Sequence, residues 1–157
     1  MDQIKLARWL KAVAVGCAIC GLLLFVGVLP RWLSRLSAEH PSFPGGPWTA
    51  FMALLAVPCY GVLVCLWRIA DQIARDNSFS QANARALRHI ALLSGGDAAL
   101  LLVGNAVFWL AGRSLFLPAM VSAFVCFAGL AISVAAACLS HLVLKAALLQ
   151  EEHNLTV

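Results

Sequence analysis

Four long apolar runs constrain this chain more than any other feature of its sequence. Each run has about the 20 residues that an α-helix needs to cross the hydrocarbon core of a bilayer. The runs cover about residues 12–29, 48–67, 91–110 and 116–144. Because lipid offers no partner to a free backbone N–H or C=O group, each run must satisfy its hydrogen bonds internally. The pattern predicts an all-α membrane protein, a four-transmembrane-helix bundle with a short tail at residues 145–157.

The composition agrees with an integral membrane protein and excludes a water-soluble globule. Hydrophobic residues make up 62% of the sequence and charged residues only 11%, whereas a soluble domain typically has about 25% charged residues. The net charge of +4 suits a membrane whose cytoplasmic face is negative, so the lipid bilayer is the first predicted partner. The basic residues form no dense stripe, and we expect no direct binding of nucleic acid.

The distribution of lysine and arginine predicts the orientation of the chain, because cytoplasmic segments near a membrane are enriched in these residues. Eight lie in the N-terminal segment, in the loop between the second and third runs, or in the tail: Lys5, Arg8, Lys11, Arg68, Arg75, Arg85, Arg88 and Lys145. Three lie on the other side: Arg31, Arg35 and Arg113. We therefore expect both termini and the middle loop on the cytoplasmic side.

The segment between the first and second runs, residues 30–47, is rich in residues that break helices and favour turns. They are Pro41, Pro44, Gly45, Gly46 and Pro47. We expect this segment to form an ordered but irregular outer loop.

The loop between the second and third runs carries signals for a turn and a new helix. Asp76–Ser78 are expected to break the preceding helix. Ser80 is suited to cap the next helix, because its hydroxyl can accept a hydrogen bond from a free backbone N–H group. Arg85 and Arg88 follow near the start of that helix. Two interpretations stay open: a corner whose arginines contact phosphates, or a docking surface.

Asp97 is the only acidic residue well inside any of the four runs. An ionisable group there costs about 2.5–3.5 kcal/mol on insertion scales and marks a hypothetical functional site. Asn105 lies two turns further along, near the same side. Two interpretations stay open. Asp97 makes a structural interhelical hydrogen bond, with Ser94 or a hydroxyl of the fourth helix as its partner, or it is the coupling group of a small proton- or ion-coupled transporter.

Small residues recur at intervals of three or four along the fourth run: Ser122, Cys126, Gly129, Ser133, Ala137 and Ser140. This spacing places them on one helical face. Small residues let two helices approach closely in lipid, where packing replaces the hydrophobic drive. The face is predicted to be the seam inside the bundle or the contact of a homo-oligomer.

No constellation of residues in the sequence predicts catalysis or a bound cofactor. All six cysteines lie within the apolar runs, where cysteine behaves as a small apolar side chain. Cys17 and Cys20 have C-x-x-C spacing, but they lie inside a membrane-length run rather than beside a strand. The four histidines fall in separate segments. We expect no enzymatic activity, no cofactor and no metal site.

Two short motifs resemble those of a known family. Residues 151–157 read Glu-Glu-His-Asn-Leu-Thr-Val, which is similar to the terminal signature of the small bacterial membrane proteins catalogued as domain of unknown function 2975. Phe79–Asn83 resembles the Phe-Ser-x-x-Asn segment of that family. The four-span layout also matches. One departure is that Asp76–Ser78 stand where a glycine often precedes the Phe-Ser pair.

The resemblance implies a function without catalysis. The family has no established enzymatic activity, and its members are often encoded beside a small helix-turn-helix DNA-binding regulator. This implies a multi-pass protein of the bacterial inner (cytoplasmic) membrane that binds or sequesters a cytoplasmic regulator. The residues expected to make that contact are Phe79, Ser80, Asn83, Glu151, Glu152, Asn154, Leu155 and Thr156.

Overall fold

The computed structural model describes residues 3–75 and 80–155, and this part of the chain contains helices and no strand. The α-helices are α1 (Gln3–Leu22), α2 (Leu29–Glu39), α3 (Gly45–Ala74), α4 (Gln81–Leu110) and α5 (Phe116–Leu155). A π-helical turn, Leu23–Val28, joins α1 to α2 without a break.

The predicted all-α, four-span architecture is confirmed. Four helical stretches are long and apolar enough to cross a membrane: Ile4–Glu39, Gly45–Ala74, Gln81–Leu110 and Phe116–Gln150. Each contains one of the apolar runs. The helices extend beyond the runs because helical hydrogen bonding continues into the polar flanks, where the apolar pattern no longer marks it.

The prediction of an irregular outer loop is wrong over most of its length. Residues 30–39 belong to α2, and only residues 40–44 lie outside the helices of this segment. The prolines explain the difference. Pro30 lies in the first turn of α2 and Pro47 in the first turn of α3. At Pro47 a proline loses no intrahelical hydrogen bond, because the first turn of a helix has free N–H groups. Pro30 follows the π-helical turn of a continuous helix, where the regular hydrogen-bond pattern is already interrupted.

An aromatic cluster packs α2 against α3 and α4. Trp48 is only 1% exposed, and its ring stacks on that of Phe108 with a centroid distance of 4.6 Å. Phe43 stacks on the other side of Trp48 at 6.0 Å, and Leu33 of α2 is 1% exposed beside them. This burial orders the connection between α2 and α3, which the sequence alone marks only by its turn-forming residues.

The helices pack in a row that follows the chain order. α1 and α2 lie against α3, α3 lies against α4, and α4 lies against α5. Among the described residues, α1 makes no close backbone approach to α4 or α5. α1 is therefore an outer helix, and α4 has neighbours on two sides.

The two ends of this row differ. We call the basal end the one that holds the start of α1, the end of α3, the start of α4 and the end of α5; the apical end holds residues 40–44 and 111–115. Gly112, at a φ of +65°, closes the apical end of α4 in a conformation that suits glycine. α5 has 40 residues and is about 60 Å long, twice the thickness of a bilayer core. It therefore projects past the predicted span.

Candidate functional site

The polar residues predicted from the sequence fall into two separate places. Asp97 and Asn105 lie on α4 between its neighbours, whereas Ser80 and Asn83 lie at the basal end, at the start of α4. Phe79 and Thr156 lie outside the described residues, and so do the side chains of Glu151, Glu152, Asn154 and Leu155.

Asp97 faces α3. The thiol of Cys59 donates to Oδ2 of Asp97 at 3.4 Å, while Oδ1 is buried and has no hydrogen-bond partner among the described residues. The expected partners were wrong. Ser94 donates to the carbonyl of Ile90 at 2.8 Å within its own helix, as helical serines often do. A structural interhelical bond does exist, but its donor is a thiol of the second span.

Asn105 faces a different neighbour. Its Nδ2 donates to the carbonyl of Leu101 at 3.1 Å, and its buried Oδ1 has no partner among the described residues. The side chain lines a cleft of about 420 Å³ between α4 and α5, beside Ser122 and Trp109. Asp97 and Asn105 therefore do not form one site. Eight residues at about 100° each advance two turns and roughly 80° more, which is enough to change the facing helix.

The seam between α4 and α5 is a ladder of three hydrogen bonds. Cys126, Ser133 and Ser140 of α5 donate to the carbonyls of Ala98, Ala91 and Ala84 of α4, at 3.3, 2.7 and 2.7 Å. Each step along one helix is seven residues, and it is matched by seven in the opposite direction on the other. A heptad interval returns an α-helix to nearly the same face, so two antiparallel helices stay in register.

The predicted small-residue face of α5 packs on α4, with one exception. Gly129 lies beside Ala98, where an added Cβ would come within 3.4 Å of the alanine Cβ. Ala137 is exposed, and its neighbour Ala136 is buried in its place. The alanines of α4 were missed by sequence reasoning. The signal that reveals them is the shared interval of seven between positions 84, 91 and 98 on α4 and 126, 133 and 140 on α5.

Ser80 caps α4 as predicted. Its backbone is extended and its hydroxyl accepts a hydrogen bond from the N–H of Asn83 at 3.2 Å. Asn83 is 3% exposed and lines a cleft of about 550 Å³ between the end of α3 and the start of α4. We call this the basal cleft. It brings two arginines from the end of α3, Arg68 and Arg75, beside Arg85 of α4.

Near the same end of the molecule, α1 is connected to α3 by a contact of Lys11 with Asp71 and Trp67, which we call the basal clasp. Lys11 Nζ lies 2.5 Å from the Asp71 carboxylate of α3 and 5.2 Å from the centre of the Trp67 ring. Further along, the Tyr60 hydroxyl donates to the carbonyl of Ala18 at 3.0 Å. Within residues 3–75 and 80–155, no three His, Cys, Asp or Glu side chains come together as a set that could hold a metal ion.

Comparison with known proteins identifies one match. A family model described as protein of unknown function (DUF2975) matches residues 31–157. The match begins in α2 and runs to the end of the chain, so that α1 lies outside it. No curated protein matches the chain, and no solved structure matches it.

Proposed function

The chain belongs to the family described as protein of unknown function (DUF2975), and from this premise we propose that it is a non-enzymatic, multi-pass membrane protein that binds a protein partner at its basal end. The observation that carries the proposal is the projecting end of α5. The helix continues to Leu155, although the apolar run ends near residue 144. Leu148 and Leu149 are 48% and 60% exposed on the projecting part. Apolar side chains on a helix beyond the span suit a protein groove.

We place the basal end in the cytoplasm of a bacterial cell, with the four spans in the inner membrane. The eight basic residues of the N-terminal segment, middle loop and tail support this orientation, against three on the other side. All eight belong to segments that meet at the basal end.

The proposed partner is a helix-turn-helix transcriptional regulator, which the protein would hold at the membrane. The support is the resemblance of residues 79–83 and 151–157 to the family motifs, together with the placement of the start of α4 and the end of α5 at one end of the molecule. Two motifs that lie far apart in the chain would then serve one docking surface.

A deletion and a scrambled version of the tail test this proposal. The full chain, tagged at its N-terminus, is purified in mild detergent from its native membrane beside two variants. One lacks residues 151–157, and the other carries the same seven residues in scrambled order, which preserves length and charge. We expect a DNA-binding protein, identified by mass spectrometry, to co-purify with the wild type and to be lost from both variants while membrane insertion is unchanged. Equal recovery of that protein with all three chains would contradict the proposal.

A second candidate function is proton- or ion-coupled transport through Asp97. The observation that favours it is the buried Oδ1 of Asp97, which has no partner among the described residues although the group lies on an apolar span. Proteoliposomes loaded with a pH-sensitive dye measure proton flux directly. Asp97→Asn should abolish the flux, and Asp71→Asn, at the basal end, should preserve it. Equal flux with Asp97→Asn and wild type would end this candidate.

We also propose that any homo-oligomer through the fourth span uses the face of α5 opposite to the small residues. α4 occupies the small-residue face, whereas Phe124 and Phe127 are 75% and 73% exposed. Light scattering of the purified protein should show a dimer for the wild type and a monomer for Phe124→Ser with Phe127→Ser. A monomeric wild type would refute self-association.

A further inference from the structure

Three arginine residues line the basal cleft. α3 contributes Arg68 and Arg75, one on each side of Asp71, and α4 contributes Arg85. A guanidinium group offers a planar fork of N–H donors that matches two oxygens of a phosphate, so it suits a phosphate better than an ammonium group does. The volume of about 550 Å³ is ample for a phosphate and the groups attached to it.

The positive charge of the cleft is not balanced by the described part of the chain. Asp71 is the one acidic residue that lines the cleft, and Lys11 already pairs with it at 2.5 Å. No carboxylate among the described residues lies within salt-bridge distance of the three arginines. A concave site with three cations and a carboxylate that is already paired attracts an anion.

The start of α4 adds to this attraction. Ala82 and Asn83, in the first turn of the helix, line the cleft, so the positive end of the helix dipole lies beside the arginines. His89 also lines the cleft. Its Nδ1 lies 2.7 Å from the carbonyl of Arg85.

The position of the cleft indicates where the anion comes from. Arg68 is the first charged residue after the apolar run that ends at residue 67, so the cleft begins where the hydrocarbon core ends. Its lining includes apolar groups of Cys65, Ala82 and Ala86 beside the arginines. An inorganic phosphate ion has no apolar part that could contact these side chains. A phospholipid presents a phosphate with glycerol and acyl carbons below it, at this level of the bilayer.

From this geometry we propose that the basal cleft is a binding site for the phosphate of an anionic phospholipid, held by Arg68, Arg75 and Arg85. The proposal goes beyond partner binding, because it concerns a lipid and involves no second protein. Its test therefore uses only the purified full chain and defined lipids, and its failure would leave the docking of a partner on α5 untouched.

The experiment measures lipid binding by native mass spectrometry during titration with phosphatidylglycerol. The cleft variant combines Arg75→Gln and Arg85→Gln. The matched control combines Arg8→Gln and Arg88→Gln, which removes the same two charges from the same end of the molecule at positions that do not line the cleft. We expect the cleft variant to bind phosphatidylglycerol roughly 10–30-fold more weakly, because it loses two of the three arginine side chains that hold the phosphate. The control should change affinity by less than about threefold.

Two further measurements make the result decisive. Arg75→Lys with Arg85→Lys keeps the charge and removes the planar forks, so it should bind with intermediate affinity; this variant also replaces the glutamine pair if that pair does not fold. Inorganic phosphate at millimolar concentration is added as a competitor. Equal loss in the cleft and control variants would overturn the proposal, because general surface charge would then explain binding. Displacement of the lipid by inorganic phosphate would also overturn it and would assign the cleft to a soluble anion.

Discussion

α1 and α5 are the two outer helices of the row, and they are attached in different ways. α5 contacts α4 at regular intervals along its length, with Cys126, Ser133 and Ser140 each donating to a backbone carbonyl. The polar contacts of α1 with α3 include a hydrogen bond from Tyr60 and the contacts of Lys11 with Asp71 and Trp67. A π-helical turn then carries α1 into α2.

The difference shows how a helix can be held firmly or loosely when both surroundings are apolar. Lipid tails are as apolar as leucine, so apolar burial alone gives little preference for protein over lipid. α5 donates to backbone carbonyls of α4 at three levels, whereas α1 accepts a hydrogen bond from Tyr60 at Ala18. We infer that α4 and α5 form the stable unit and that α1 separates from it more easily. The family match begins in α2, so it leaves out α1.

The largest loss of stability is expected from a bulky side chain placed in the seam between α4 and α5. A Cβ added at Gly95 would lie 2.8 Å from Ser133 Oγ, whereas one added at Gly96 would meet nothing within 4 Å. Gly95→Leu should lower the free energy of unfolding by about 1–3 kcal/mol through overpacking. Gly96→Leu, next to it on the same helix, should lower it little or not at all. The free energy of unfolding of both variants is measured in mixed micelles with rising SDS, followed by circular dichroism. Equal destabilisation by the two substitutions would contradict close packing of α4 on α5 at Gly95.

A smaller effect is expected from removing hydroxyls of the ladder. Ser133→Ala with Ser140→Ala should cost about 1 kcal/mol in unfolding free energy, because an interhelical hydrogen bond in a membrane protein contributes about 0.6 kcal/mol. Ser94→Ala is the control, since Ser94 bonds within its own helix. The same SDS titration measures all three chains. A control as costly as the pair would show that the ladder adds no interhelical stability.

Removing a hydrogen bond to α1 should lower the free energy of unfolding by less, and the change should be confined to that helix. Tyr60→Phe removes the hydrogen bond to Ala18 and should cost about 0.6 kcal/mol. Hydrogen exchange should become faster in α1 and stay unchanged in α5, because the two helices share no seam. Faster exchange in α5 would contradict the division into a stable pair and a loosely held helix.

The smallest effect is expected at the basal clasp. Asp71 is 45% exposed and Lys11 31% exposed, so solvent screens their attraction and Asp71→Asn should cost only about 0.3 kcal/mol. The loss should show as faster exchange at the start of α1 in low salt, and it should disappear near 1 M salt. Glu39→Gln, at the apical end, is the control. An effect that persists in high salt would mean that packing rather than charge holds the clasp.

Several local features were predictable because each depends on a few neighbouring residues. Ser80 was identified as an N-cap from its position before a helical pattern, and the structure confirms it. The small-residue face of α5 was identified from its spacing, apart from Ala137. The outer loop was mispredicted because a proline can interrupt a helix or occupy its first turn. Pro47 was taken to break a helix, but it lies in the first turn of α3, where proline is favoured.

The partners of polar residues were not predictable from the sequence. Asp97 was expected to meet a serine, yet it meets Cys59, which lies 38 residues away in an apolar run. Asn105 was expected near the same side as Asp97, but it lines the cleft toward α5. The corner between the second and third runs was proposed as a place where arginines contact phosphates, but the cleft itself was not predictable, because Arg68 and Arg85 come together only when α3 and α4 pack side by side.

The number of spans, their helical state and the small-residue face of α5 follow from the sequence alone. The physical reason is local: a membrane-length apolar run must satisfy its own backbone hydrogen bonds, and helical spacing then sets which residues share a face. Which faces meet depends on how the helices pack, from the Cys59–Asp97 contact to the arginines of the basal cleft. In lipid an apolar side chain is suited both to the bilayer and to a neighbouring helix, so the rotation of each helix is set by close packing and by the few polar groups that find partners.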